Sequence, residues 1–206
     1  MKIITISREF GSGGRELGKR LADLLGYDYY DKEIITTIAS NKGMDEDYVA
    51  RLIEQQGWPN IPMTFHQSLV GVPMDTTHTD LLLEQKRVIE QIAKAGNDCV
   101  IVGRNADVLL HDYHPFNIFV CADMEAKIQR CMNRASENED LNVKEMERKI
   151  NKIDKSRSQT RDLVTDSSWG DRSDYHLTIN TSNWNINELA LAVADFANSW
   201  FERTNR

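Results

Sequence analysis

No apolar run in this sequence approaches the ~18–20 residues needed to cross a bilayer. The opening stretch, Met1 to Ile6, alternates like a strand and lacks the charged-then-apolar order of an export signal. There are three cysteines (Cys99, Cys121 and Cys131), an odd number with no C-x-x-C spacing. A reducing cytoplasmic setting with free thiols is therefore expected. Cys99 and Cys121 lie inside apolar runs and are expected in the core. His111 and His114 have no further ligands of suitable type nearby, which argues against a metal centre there. Positive charge is also short: 25 basic residues face 32 acidic ones, for a net charge of −7. An acidic chain is not built to blanket nucleic acid or an anionic membrane, so neither is expected as a partner. With 40% hydrophobic and 28% charged residues, disorder is excluded as well.

Strand and helix patterns alternate through the 206 residues without repeats or low-complexity linkers. Strands are expected at Lys2–Ser7, Tyr27–Tyr30, Cys99–Val102, Asn117–Cys121 and His176–Asn180. Helical periodicity covers Arg15–Leu25, Asp31–Asn41, Asp45–Gln56, Asp80–Ala95, Ala122–Ser136 and Val143–Arg161. A last helix follows Asn185, with Glu188 in capping-box position and Ile186, Leu189, Val193, Phe196 and Trp200 as its apolar face. Gly57–Thr77 holds three of the four prolines and reads as loop. This order implies an α/β fold with a parallel sheet and helices on both faces. Ligands in such folds bind at the carboxyl ends of the strands.

The first such end is rich in glycine. Ser7-Arg8-Glu9-Phe10-Gly11-Ser12-Gly13-Gly14-Arg15-Glu16 joins strand to helix, where amide groups converge and the helix dipole adds positive potential. Phosphate binding by Arg8, Gly11, Ser12, Gly13, Gly14, Arg15 and Glu16 is the expectation. The usual form, G-x-x-x-x-G-K-[ST], would put Lys after the last loop glycine and a hydroxyl next. Here Gly13 is followed by Gly14, Arg15 and Glu16. Arg8 or Arg15 is the candidate to supply the missing charge, and Glu16 the candidate to contact magnesium.

Residues 127–161 carry ten bases against six acids, a net +4 that leaves −11 for the rest of the chain. Arg130 and Arg134 share a helix face, as do Arg148, Lys152 and Lys155, and Arg157 and Arg161. Two basic helices joined by the polar segment Glu137–Asn142 read as a lid for a polyphosphate, and a solvated charged pair is the plainer alternative.

Taken together, the glycine loop, the segment Gly103-Arg104-Asn105-Ala106, the arginine-rich helices, Trp169-Gly170-Asp171, Tyr175-His176-Leu177 and Ile179-Asn180-Thr181-Ser182 resemble the cytidylate kinase-like family. The resemblance spans essentially the whole chain. It implies one three-layer α/β/α P-loop kinase domain over 1–206, with a five-stranded parallel sheet, an acceptor-binding segment at about 31–80 and a helical lid at about 127–161. It implies transfer of the ATP γ-phosphoryl group, with Mg2+, to a nucleoside monophosphate or another small acceptor. Arg15, Arg130, Arg157 and Arg161 take catalytic places in this reading, and Asp31, Arg104 and Asn105 bind the acceptor. Cytidylate kinases have Asp where this chain has Asn105. Three readings stay open: Arg104 as a structural ion pair, Asp31 as a helix N-cap and Trp169 as a packing residue. Gly57–Thr77, with Trp58, Phe65 and His66, could recognise a different acceptor. A non-catalytic nucleotide-binding or regulatory module is the rival function, because the loop lysine is absent. A homo-oligomer is left open.

Overall fold

Apolar residues at every position of a run need a strand covered on both faces. In the computed structural model, which describes residues 1–47, 49–50, 76–134 and 141–204, three strands covered on both faces occupy the centre of the sheet. These are β1 (Ile3–Arg8), β3 (Cys99–Val102) and β4 (Phe116–Cys121). β2 (Asp28–Tyr30) and β5 (Leu177–Asn180) are the edges, and the order is β2-β3-β1-β4-β5. All pairs are parallel, with Ile4 opposite Val100 on one side and Phe116 on the other.

The strand period of two sorts side chains between two cores. Ile4, Ile6, Val100 and Val102 pack with Leu17 and Leu21 of α1 (Gly14–Leu25) and with α7 (Ile186–Thr204). Ile3, Cys99 and Ile101 pack with α2 (Lys32–Lys42) and α3 (Thr76–Ala95). The remaining helices are the short α4 (Ala106–Leu109), then α5 (Met124–Arg134) and α6 (Val143–Asp162). The expected α/β architecture is therefore present, with five parallel strands and helices on both sides. Among the described residues no helix is long and apolar enough to cross a membrane.

Several local expectations need correction. The helix read from Asp80 begins at Thr76, so the loop expected through Thr77 ends earlier. Most of the loop 57–77, most of the helix expected over 45–56 and most of the segment 137–142 lie outside the described residues. The buried face of α7 runs through Ile186, Leu189, Ala190, Val193, Ala194, Ala197 and Phe201. Phe196 is 47% exposed and Trp200 only half-buried, because the small alanines let the helix sit closer on a neighbouring stripe. Asn185 Oδ1 accepts from the amide of Asn187 rather than that of Glu188. A full capping box does occur, at α6, where Asn142 and Glu145 bond reciprocally.

Candidate functional site: two cavities that share two arginines

β1 ends in the glycine loop at the carboxyl edge of the sheet, where the fold directs a ligand. Gly11 and Gly13 have φ of 79° and 84°, a left-handed backbone that glycine takes without strain. Beneath them Ser12 is fully buried, and its hydroxyl donates to Glu9 O at 2.8 Å. The Thr181 hydroxyl donates to Ser12 O at 2.6 Å, and Arg130 bonds to Ser12 O and to Thr181 O. These bonds fix the loop against the end of β5.

The missing lysine has a steric explanation. A Cβ at Gly14 would stand 2.6 Å from Arg8 Cβ, because the Arg8 side chain lies across that position. A Cβ at Gly103 would stand 1.7 Å from Arg8 Nη1. Both glycines leave a channel for Arg8, which carries its charge to the place where the loop and the end of β3 meet. Its side chain is 11% exposed and lies 3.7 Å from Asp31. Burial, then the nearby charge of Arg157, with Arg104 and Arg15 adding to it, pushes Arg8 down to about 9; Asp31 opposes this. At neutral pH the group is still charged, so four guanidinium groups crowd together, with Asp31 paired to Arg8 and Arg15 and Asp154 to Arg157. Such a cluster favours an anion.

Asp31 itself is 3% exposed and pairs with Arg15 Nε at 2.5 Å. Its side chain makes no capping bond at α2, so the carboxylate serves the arginines instead. Arg157 donates to Arg8 O at 2.9 Å and lies 5.7 Å from the centre of the Phe10 ring. Asp154 accepts from the Phe10 amide at 2.7 Å and pairs with Lys127, which also reaches Glu9. Burial pushes the Asp154 carboxyl up from its usual range. Through these contacts α6 is tied to the glycine loop.

Two cavities result. One, of about 400 Å3, is lined by Arg8, Gly11, Gly13, Gly14, Arg15, Arg130, Arg134, Lys149 and Arg157. The other, of about 60 Å3, is lined by Arg8, Gln85, Gly103, Arg104, Asn105, Arg157, Thr160 and Trp169. Arg8 and Arg157 belong to both. Trp169 also packs edge-on against Phe119, with ring centres 5.4 Å apart.

The structure does not bring Arg161 to either cavity. Its side chain is 1% exposed and bonds to Asp107, Asp174 and Ser167 at the foot of α6. Burial alone would lower its pKa, but Asp107 and Asp174 outweigh that and raise it. Arg134, which the sequence paired with Arg130 on one helix face, lines the larger cavity, as does Lys149, which the charge count of 127–161 contained without singling it out. Gln85, in the middle of a helix, gave no signal in the sequence.

Glu16 does not fit a direct magnesium ligand. Arg20 bonds to its Oε1 and Arg134 to its Oε2. Partial burial pushes the carboxyl up, but the bonds to Arg20 and Arg134 prevail and hold it below its usual range. Among the described residues no three His, Cys, Asp or Glu side chains gather as a metal site. Mg2+ commonly comes with phosphate oxygens and few protein ligands. Glu16→Gln is accordingly expected to leave the half-saturating Mg2+ concentration of any phosphoryl transfer within about twofold of wild type. Its stability should change by less than about 1 kcal/mol, as befits an exposed pair. A Mg2+ titration of the initial rate checks the first, and a melting curve the second.

The model of the cytidylate kinase-like family matches residues 3–183 of this chain. A cytidylate kinase of Haloarcula marismortui is 24% identical over 183 residues, covering 88% of this chain and 82% of that one. An uncharacterized protein from Eubacterium ventriosum, 24% identical, superposes with a TM-score of 0.71 over 97% of this chain and 99% of that one. Shikimate kinase from Acinetobacter baumannii, solved with shikimate, superposes with a TM-score of 0.54 at 16% identity, over 97% and 94% of the two chains. The fold is thus that of P-loop-type kinases.

Proposed function

The chain belongs to the cytidylate kinase-like family, and from that premise we propose that it is a nucleotide-binding phosphotransferase that moves the γ-phosphoryl group of ATP to a nucleoside monophosphate. The observation that carries this reading is the pair of cavities sharing Arg8 and Arg157. The larger one, under the glycine loop, takes the donor polyphosphate. Amides of Gly11–Arg15 and the guanidinium groups of Arg15, Arg130, Arg134 and Arg157 neutralise it. The smaller one takes the acceptor phosphate against Arg104. The transferring group then passes between Arg8 and Arg157. Charge on its oxygens is met there without any covalent intermediate on the protein.

Mg2+ bound with ATP would supply charge neutralisation to the phosphates. The residues of the chain itself do the positioning. Asp31 orients Arg8 and Arg15, Asp154 and Lys127 hold α6 against the loop, and α5 with α6 forms the lid over 127–161. The domain works as one unit over 1–206, with the acceptor segment at about 31–80, in the cytoplasm.

A coupled ATPase-type assay with ATP, Mg2+ and CMP, dCMP, UMP, AMP or GMP tests the reading. CMP or dCMP is expected to be turned over at kcat of order 1–100 s−1, the range of phosphoryl-transfer kinases. Turnover of none of the five, with ATP bound, would favour a regulatory nucleotide-binding module.

A further inference from the structure

The turn after β3 holds three successive residues with positive φ: Gly103 at 76°, Arg104 at 63° and Asn105 at 53°. For the two that are not glycine this backbone is costly and persists only where neighbours hold it. Two side chains do so. Asn105 Nδ2 donates to Thr160 O of α6 at 3.4 Å, and Gln85 Nε2 of α3 donates to Arg104 O at 3.2 Å. Gln85 is 1% exposed.

The Gln85 amide can be oriented only one way. A carbonyl only accepts, so nitrogen faces Arg104 O and Oε1 is the atom left over. Among the described residues that Oε1 has no hydrogen-bond partner. A buried amide oxygen with no donor carries an uncompensated desolvation penalty. The same side chain lines the 60 Å3 cavity beside Arg8, Arg104 and Arg157. That cavity has room for a few water-sized groups, which suits a phosphoryl or hydroxyl group rather than a nucleobase.

We propose that Gln85 is a positioning residue for the phosphate acceptor: its Nε2 donates to Arg104 O and holds the turn that sets Arg104 against the cavity. The ligand class is a phosphate monoester. The proposal rests on the phosphotransferase reading above, which assigns this cavity to the acceptor. Gln85 acts through Arg104, and Asn105 ties the same turn to α6.

The test is calorimetric titration of CMP, and separately of ATP with Mg2+, into wild type, Gln85→Met and Gln85→Glu. Methionine keeps the volume and loses both polar atoms. Glutamate keeps the shape, loses the donor to Arg104 O and puts a negative charge among the arginines. CMP affinity should fall about tenfold in Gln85→Met, the size of one buried hydrogen bond. It should fall further in Gln85→Glu, while ATP affinity stays within about twofold in both. Melting temperatures report folding, and if Gln85→Met does not fold, Gln85→Glu decides alone. CMP affinity within about twofold of wild type in the folded variants overturns the proposal, as does an equal loss for CMP and ATP. A wild-type protein that binds CMP but transfers nothing overturns the phosphotransferase reading and leaves the Gln85 result standing. One that binds no CMP overturns the Gln85 assignment and leaves the phosphotransferase reading to the assay with dCMP, UMP, AMP and GMP.

Discussion

Arg8→Met is expected to lower kcat/KM for phosphoryl transfer by about 10^3-fold, the lower end of what an arginine on a transferring phosphoryl group contributes, and to leave the protein folded. Methionine retains the Cβ and Cγ that pack over Gly14. Asp31 keeps its shorter pair, with Arg15 at 2.5 Å, so no carboxylate is orphaned. Loss of the charge also removes the cost of burying a guanidinium and the repulsion from Arg157, Arg104 and Arg15, which together push Arg8 down to about 9. Without ligand, then, the variant should melt no lower than wild type. The cost appears only when an anion has to be held. Initial rates at varied ATP and acceptor, together with a melting curve with and without ATP, measure both halves. Wild type should gain melting temperature from ATP, and the variant should gain little.

Arg161→Met is expected to do the opposite: to destabilise the whole molecule by about 3–5 kcal/mol, the usual cost of breaking a buried ion pair. The side chain is 1% exposed, and it satisfies Asp107, which is 3% exposed, together with Asp174. Removing it leaves an uncompensated buried carboxylate at the foot of the helix that carries Arg157 and Asp154. For a chain of this size the melting temperature should fall by roughly 6–20 °C. Arg161→Lys restores the charge but not the fork that serves Asp107, Asp174 and Ser167 together, so it should recover only part of the loss. Chemical denaturation gives the free energy. A variant that melts like wild type yet cannot transfer phosphate would return Arg161 to the catalytic place that the sequence suggested.

Much of the architecture was legible because it rests on local rules. Alternation marked the first strand, apolar runs marked the strands at Cys99–Val102 and Asn117–Cys121, and periodicity placed most helix ends within a few residues. The glycine-rich turn pointed to the candidate site because strand-end placement and backbone freedom are both written locally. What was not legible depends on contacts between distant residues. Nothing local separates Arg157, which bonds to the backbone of β1, from Arg161, one helical turn later and facing Asp107. Glu16 looked like a metal ligand until Arg134, 118 positions away, occupied it. Asp31 sits where a cap would sit, and only its partners on β1 and α1 reveal its use. Gln85 was silent because a single polar residue in an amphipathic helix carries no periodic signature. The −11 body and +4 segment meet at the loop, where Arg130, Arg134 and Arg157 line the larger cavity beside Arg8 and Arg15.

In the proposed site Arg8, threaded past Gly14, takes the place of the lysine that phosphate loops ordinarily carry. Calorimetric titration of ATP with Mg2+ into wild type, Arg8→Met and Gly14→Lys tests it most directly. A lysine at position 14 would bring a Cβ to 2.6 Å from Arg8 Cβ and 3.2 Å from Val120 Cβ, so the usual motif cannot be restored without displacing Arg8. ATP should bind to wild type and bind at least about tenfold more weakly to both variants, as the loss of one charge-assisted contact requires. Unchanged affinity in Arg8→Met with tighter binding in Gly14→Lys would contradict the account.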